Sequence, residues 1–306
     1  MKLSEIKTLF LGLTNRCNAK CITCWHSNNQ VVEPIDLSSK IYYEIQKKLF
    51  PHIKVLDVCG GGEVFLSPLF NILMSDIRNY KFKTIITSNF SVINLQHIIN
   101  LVHSNVDFVV SLDGSTSELQ EFLRPGCEFN KIIDNIKYFI SHGHKVTIQT
   151  TVSEDNFYDI DNMLQLAERL RVDNVRFHPV RLLENINKPY KFKSCPVDVK
   201  YLTKILNKKY NMKYSICFDY YHRGIKKTYI EIVAYYFKEF FKNKKNKVFC
   251  SKMRDSIKIQ EDGRVLSCCL PNSKIVGDLN LNTLEDVISS FDFNNVRRTC
   301  VCDMMN

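Results

Sequence analysis

The 306-residue chain is short of the residues that mark fibrous and low-complexity proteins, with 10 glycines, 8 prolines and one tryptophan. At 45% hydrophobic and 24% charged residues it has the composition of neither a collagen, a disordered chain nor a coiled coil. No apolar stretch nears the roughly 20 residues of a membrane-spanning helix, so no membrane partner is expected. The opening residues, MKLSEIKTLFLGLTNRCN, lack the apolar core and small-residue cleavage site of a signal peptide. Acidic residues fall short too: 42 Lys+Arg face 32 Asp+Glu, for a formal net charge of +10. Cysteine, by contrast, is plentiful at 12. In a chain too long for a small disulfide-stapled secreted domain, these are expected to be reduced thiols in the cytoplasm.

Six β-branched, apolar runs recur along the first part of the chain: Lys7 to Leu13, Val55 to Val58, Lys83 to Thr87, Val106 to Leu112, Lys145 to Val152 and Asn174 to Phe177. Between them lie stretches of 3.6-residue periodicity with helix punctuation, as in Leu37 to Phe50, Pro68 to Tyr80 and Asn130 to Ser141. This alternation predicts a parallel βα array, either an open doubly wound sheet or a partial barrel. After about residue 180 the rhythm breaks. The segment 181–249 carries 17 Lys+Arg against 5 Asp+Glu, so its net charge is +12 and the rest of the chain nets −2. Tyr229, Ile232, Val233, Tyr236, Phe237, Phe240 and Phe241 fall there at helical spacing. From Cys250 a third region begins, with a predicted hairpin (Ser256 to Gln260, a turn at Asp262-Gly263, Arg264 to Cys268) and a short helix from Thr283 to Ser290. The expected organisation is a barrel over 1–180, a basic, aromatic-rich helical segment over 181–249, and a small cysteine-bearing domain over 250–306.

Chemistry concentrates where the strands end. Cys17-x3-Cys21-x2-Cys24 follows the first strand. Three thiolates can converge on one centre but cannot complete the four-cysteine set of an ordinary 4Fe–4S cluster, which leaves one iron open to a ligand. The same spacing is open to zinc with a fourth ligand such as His26, or to reduced core cysteines. The second strand runs into Cys59-Gly60-Gly61-Gly62-Glu63, where glycine lets backbone approach a ligand and the carboxylate can pair with an ammonium group. The third ends in Thr87-Ser88-Asn89 and the fourth in Ser111-Leu112-Asp113-Gly114. Polar residues at consecutive strand C-termini form one rim, where such sheets build ligand sites.

Together these motifs, over roughly residues 5 to 180, resemble the radical SAM superfamily. The resemblance implies a partial (β/α)6 TIM-like barrel holding a 4Fe–4S cluster on Cys17, Cys21 and Cys24. S-adenosylmethionine would chelate the open iron, and its reductive cleavage would give a 5′-deoxyadenosyl radical that abstracts a substrate hydrogen atom. By the same resemblance Gly61, Gly62 and Glu63 hold the methionine amino group, and Ser111 and Asp113 lie near the ribose. Asn89 and Arg124 are further cofactor contacts, and Trp25 offers a surface for the adenine. An electron donor such as flavodoxin or ferredoxin is implied. Thr23 stands before the third cysteine, where the family often has an aromatic residue.

Cys250-x12-Gly263-x4-Cys268, followed by Cys300 and Cys302, is similar to the SPASM and twitch extensions of that superfamily. The similarity implies a second, auxiliary 4Fe–4S cluster on Cys250, Cys268, Cys300 and Cys302, with Cys269 as a substitute ligand. Cys59, Cys127, Cys195 and Cys217 then remain, most simply as small buried hydrophobes. Cys217 or Cys269 is the candidate hydrogen donor if the reaction is an epimerisation. After the sixth strand, Arg176 and Arg181 are candidate substrate contacts and His178 a candidate base. The leading expectation is a radical SAM oxidoreductase or epimerase acting on a small polar molecule, carbohydrate-like or anionic. A peptide maturase modifying a ribosomal precursor is the second reading, with no leader-gripping N-terminal module evident. A non-catalytic zinc or iron–sulfur protein binding nucleic acid is the third, although no nucleic-acid motif is present.

Overall fold

The computed structural model describes residues 2–24, 33–101, 104–180, 198–216, 255–266 and 275–290. The six expected strands form where the β-branched runs lie: β1 (Thr8–Leu11), β2 (Val55–Val58), β3 (Lys83–Ser88), β4 (Val106–Ser111), β5 (Val146–Val152) and β6 (Asn174–Pro179). All five neighbouring pairs are parallel, in sequence order. Helices occupy the crossovers: α1 (Ser39–Lys48), α2 (Phe70–Asp76), α3 (Leu95–Leu101), α4 (Ser117–Leu123), α5 (Phe129–Ser141) and α6 (Ile160–Leu170). Ser38 caps α1 by accepting from the Ile41 N–H, and Thr116 caps α4 by accepting from the Leu119 N–H.

The expected hairpin exists as β8 (Ser256–Ile259) and β9 (Arg264–Leu266). Strand β8 pairs in parallel with β1, in register from Thr8↔Ser256 to Leu11↔Ile259. Strand β10 (Ile275–Asp278) extends this edge, and β7 (Lys213–Ile216) pairs with β6 at the other, giving one ten-stranded sheet in the order β10-β9-β8-β1-β2-β3-β4-β5-β6-β7. Helix α7 (Val199–Leu206) precedes β7, and α8 (Leu284–Ser290) follows β10.

The sheet's two faces differ. Strand β5 alternates without exception, with Val146, Ile148, Thr150 and Val152 buried and Thr147, Gln149 and Thr151 half-exposed; β6 does the same, with Arg176 and His178 half-exposed. Period-2 side chains divide a strand in this way. The buried set joins the helices in one core containing Leu9, Leu11, Leu56, Ile86, Phe108, Ile148, Val175 and Phe177. Along β5 and β6 the other face is polar, and register aligns Ser111 with Gln149 and Gln149 with Arg176 across three strands. Among the described residues no helix is long and apolar enough to cross a membrane.

Candidate functional site

The loop carrying Cys17, Cys21 and Cys24 leaves β1 and is fastened at both ends. On its first half, Thr14 Oγ1 donates to Asp36 Oδ1 at 2.6 Å, and Arg16 Nε donates to Asp36 Oδ2 at 2.8 Å. Its second half lies beside the corner after α4: Lys20 N–H donates to Pro125 O at 2.8 Å and Ile22 N–H to Leu123 O at 3.0 Å. Between them, Asn18 Nδ2 donates to Ser91 Oγ and Gly126 O, and its Oδ1 accepts from Asn89 Nδ2. One asparagine thus joins the cysteine loop to the end of β3 and to the α4–α5 corner. Gly126 has φ +91°, and a Cβ there would sit 2.6 Å from Asn18 O.

The glycine-rich turn packs directly under this loop. Glu63 N–H donates to Arg16 O at 2.7 Å. A Cβ on Gly62 would lie 2.3 Å from Arg16 O and 2.7 Å from Thr14 O, both backbone atoms that cannot swing away. Gly62→Ala is therefore expected to displace the cysteine loop and cost about 1–3 kcal/mol or more. Thermal unfolding together with iron content checks this: an unchanged Tm with full iron would show that the loop tolerates the methyl group.

Glu63 is 2% exposed, and its carboxylate lies among donors: Ser88 Oγ and Asn89 N–H at 2.7 Å each, with Phe65 N–H at 3.4 Å. Burial pushes its pKa up to about 7, while the Asn89, Ser88 and Phe65 hydrogen bonds and the Arg124 charge hold the rise back. The folded pKa lies above the ordinary 4.5, so the folded state binds the extra proton and stability falls as pH rises through the interval from 4.5 to about 7. Glu63→Gln is expected to flatten that decline by about 2–3 kcal/mol between pH 4.5 and 8. Urea titrations of both proteins across this range measure it; parallel profiles would refute it. Asn89, also buried, orders the adjacent turn, with its Oδ1 accepting from Ser91 N–H and Ser91 Oγ. Phe90 beside it has φ +62°, a left-handed conformation uncommon for a bulky residue, and is held by ring contacts with Phe65, Phe108 and Phe139.

Asp113 is 1% exposed and both its oxygens accept: Oδ1 from Thr151 N–H at 2.7 Å, and Oδ2 from Arg124 Nε at 2.6 Å. Gln120 Oε1 holds the Asp113 and Gly114 N–H groups, and Asn156 Nδ2 donates to the Asp113 carbonyl. The other end of the Arg124 guanidinium reaches Cys21, with Nη1 3.8 Å from Sγ. Cys127 Sγ also hydrogen-bonds Cys21; this bond and the Arg124 charge hold the Cys21 thiol below its usual range against burial, and the Cys127 thiol rises in return.

The structure thus brings Cys17, Cys21, Cys24, Gly61, Gly62, Glu63, Asn89, Ser111, Asp113 and Arg124 to the C-terminal ends of β1 to β4, with Arg176 and His178 on the polar face of β6. Trp25, Arg181, Cys195, Cys217, Cys250, Cys268, Cys269, Cys300, Cys302 and the 229–241 helix lie outside the described residues. Asn18, Gln120 and Asn156 also organise the site though no local pattern marks them, and Cys127, buried as expected, adds a contact to Cys21 that burial alone does not imply. Among the described residues no group of three or more His, Cys, Asp or Glu side chains could hold a metal ion. A cubane has a different requirement, since each of its thiolates binds a separate iron. The donors fit such a cluster: three thiols on one fastened loop, a guanidinium against one of them, and a glycine beneath.

A parallel βα sheet with a three-cysteine loop at its C-terminal rim defines a class of iron–sulfur enzymes. Residues 11–167 match the radical SAM superfamily, and this chain belongs to it. Residues 250–304 match the SPASM iron–sulfur cluster-binding domain. The cofactors are accordingly a 4Fe–4S cluster that binds S-adenosylmethionine, S-adenosylmethionine itself, and an auxiliary iron–sulfur cluster.

The chain is 24% identical over 179 residues to the tungsten-containing aldehyde ferredoxin oxidoreductase cofactor-modifying protein of Pyrococcus furiosus, covering 55% of this chain and 50% of that protein. It is 28% identical over 171 residues to the mycofactocin maturase MftC of Mycobacterium ulcerans, covering 54% and 46%. The matches therefore span about half the length of these relatives or less. Among solved structures, SuiB of Streptococcus suis bound to its precursor peptide SuiA superposes with a TM-score of 0.69 at 18% identity, over 96% of this chain and 68% of that one. SuiB bound to S-adenosylmethionine gives 0.70 at 16%, over 95% and 67%. These likenesses show a shared fold.

Proposed function

We propose that this radical SAM enzyme modifies a peptide, as a maturase acting in a reducing, cytoplasmic compartment. The observation that carries the reading is the charge map. The +12 segment follows β6 directly, and β6 presents Arg176 and His178 on the same polar face that leads to the cysteine rim. A cationic, aromatic-rich approach suits an acidic, extended chain. The relative named as a maturase and the SuiB–SuiA complex support the same class.

In this reading Cys17, Cys21 and Cys24 hold the SAM-binding cluster, and Cys250, Cys268, Cys300 and Cys302, or Cys269 in place of one, hold the auxiliary cluster. Gly61, Gly62, Asn89, Ser111 and Trp25 line the S-adenosylmethionine site. Glu63 and Asp113, whose oxygens are engaged, shape that site by ordering their neighbours, and Arg124 closes it at Cys21. The bound cofactors supply hydrogen-atom abstraction. The residues of the chain exclude water, orient the peptide through Arg176 and Arg181, and offer His178 to take a proton.

Anaerobic protein should carry about eight irons per chain and form 5′-deoxyadenosine with a reductant. Adding an acidic precursor peptide encoded beside the gene should raise that yield and change the peptide's mass. Loss of two hydrogens marks dehydrogenation, and solvent deuterium on carbon marks epimerisation through Cys217 or Cys269. A second reading, a small anionic substrate, rests on Arg176 and His178 alone. Turnover of such a molecule with no peptide product would favour it.

A further inference from the structure

The α4–α5 corner makes more contact with the cysteine loop than a connecting segment requires. Residues 123–127 pair with the loop through two backbone hydrogen bonds, Lys20 N–H to Pro125 O and Ile22 N–H to Leu123 O. Arg124 and Cys127, both in this paired segment, each hydrogen-bond Cys21. Arg124 Nη1 stands 3.8 Å from Cys21 Sγ, while Asp113 Oδ2 grips Nε at 2.6 Å and so fixes the plane of the guanidinium. Cys127, 1% exposed, hydrogen-bonds Cys21 from within the same core.

We propose that Arg124 and Cys127 are positioning residues that tune the SAM-binding cluster, with a guanidinium N–H and a thiol S–H both directed at the Sγ of Cys21. The inference rests on the assignment of Cys21 as a cluster ligand. Reduction adds one electron, whose density is shared with the thiolate sulfurs. Hydrogen bonds and positive charge at a thiolate therefore stabilise the reduced cluster more than the oxidised one and raise its potential. Burial strengthens the effect, because few solvent dipoles compete at Cys21.

The test uses the full chain, reconstituted anaerobically with iron and sulfide, in redox titrations followed by electron paramagnetic resonance. The relevant signal is the one that changes on adding S-adenosylmethionine, which separates it from the auxiliary cluster. In Cys127→Ala, the ratio of reduced to oxidised cluster at a fixed potential near the midpoint should fall about threefold, the size of one weak hydrogen bond. Cys127→Ser keeps a donor in nearly the same volume and should restore most of the loss. Arg124→Gln combined with Asp113→Asn, which avoids an orphaned buried carboxylate, should lower the ratio about tenfold, or about 59 mV for one electron. If the double variant does not fold, the Cys127 pair decides the matter alone. A midpoint unmoved by Cys127→Ala, or moved equally by Cys127→Ser, overturns the proposal. Cys21→Ala separates the two levels of the argument. Full retention of the SAM-sensitive signal would refute the ligand assignment, whereas its loss beside unmoved midpoints would refute the tuning alone.

Discussion

Replacing Cys17, Cys21 and Cys24 together with alanine removes about four irons per chain, leaves about four on the auxiliary site, and abolishes reductive cleavage of S-adenosylmethionine. The expectation follows from position. The three thiols share one loop, and that loop is fastened to Asp36 on one side and to Pro125 and Leu123 on the other. No other described cysteine sits on this loop: Cys59 follows β2, and Cys127 lies between α4 and α5. Iron analysis and 5′-deoxyadenosine assays check it side by side. A triple variant that keeps its full iron content, or still cleaves S-adenosylmethionine, would move the cluster elsewhere in the chain.

Asp113→Ala is expected to be the most damaging single substitution away from the cysteines. It leaves the Arg124 guanidinium, 13% exposed at its side chain, without its carboxylate. Removing one partner of a buried ion pair costs about 3–5 kcal/mol, because the surviving charge stays desolvated. The loss is compounded at Thr151, whose N–H donates to the other Asp113 oxygen and ties β5 to the end of β4. Asp113→Asn keeps an acceptor for Thr151 and should cost less. Urea unfolding of the two variants measures the difference, and equal, small losses would show that water reaches the guanidinium. Stability should also vary more with salt in the unsubstituted protein than a buried pair allows if that were so.

Much of the barrel was legible because its strands are buried on one face and advertise a period of two: Val146 to Val152 alternates without interruption. Strand β7 was not legible, since Lys213–Ile216 is four residues long in a lysine-rich context and owes its conformation to pairing with β6. The hairpin was found but its neighbour was not, because nothing local in Ser256–Ile259 specifies Thr8–Leu11 as its partner. The site divides in the same way. Cysteine spacing and polar strand ends are local signals, so Cys17, Glu63, Asn89 and Asp113 could be picked out by position. The bonds that organise them are not local: Asn18 meets Ser91 and Gly126 from 73 and 108 residues away. Asp113 and Glu63 read from sequence as ligand contacts, and the bonds that each carboxylate makes to the protein's own backbone and side chains carry no local signal.

The parallel pairing of β1 with β8 has a consequence for how the protein is made. Strand β1 leaves the ribosome well before the strand that covers one of its edges, which is translated some 250 residues later. Until then the row of N–H and C=O groups along Thr8–Leu11 is an open template, next to the loop that will receive iron. A chain cut short before Ser256 would keep its βα core but present that edge permanently. It should self-associate as it is synthesised, so that the hairpin acts as the seal on an edge left open since β1 was made.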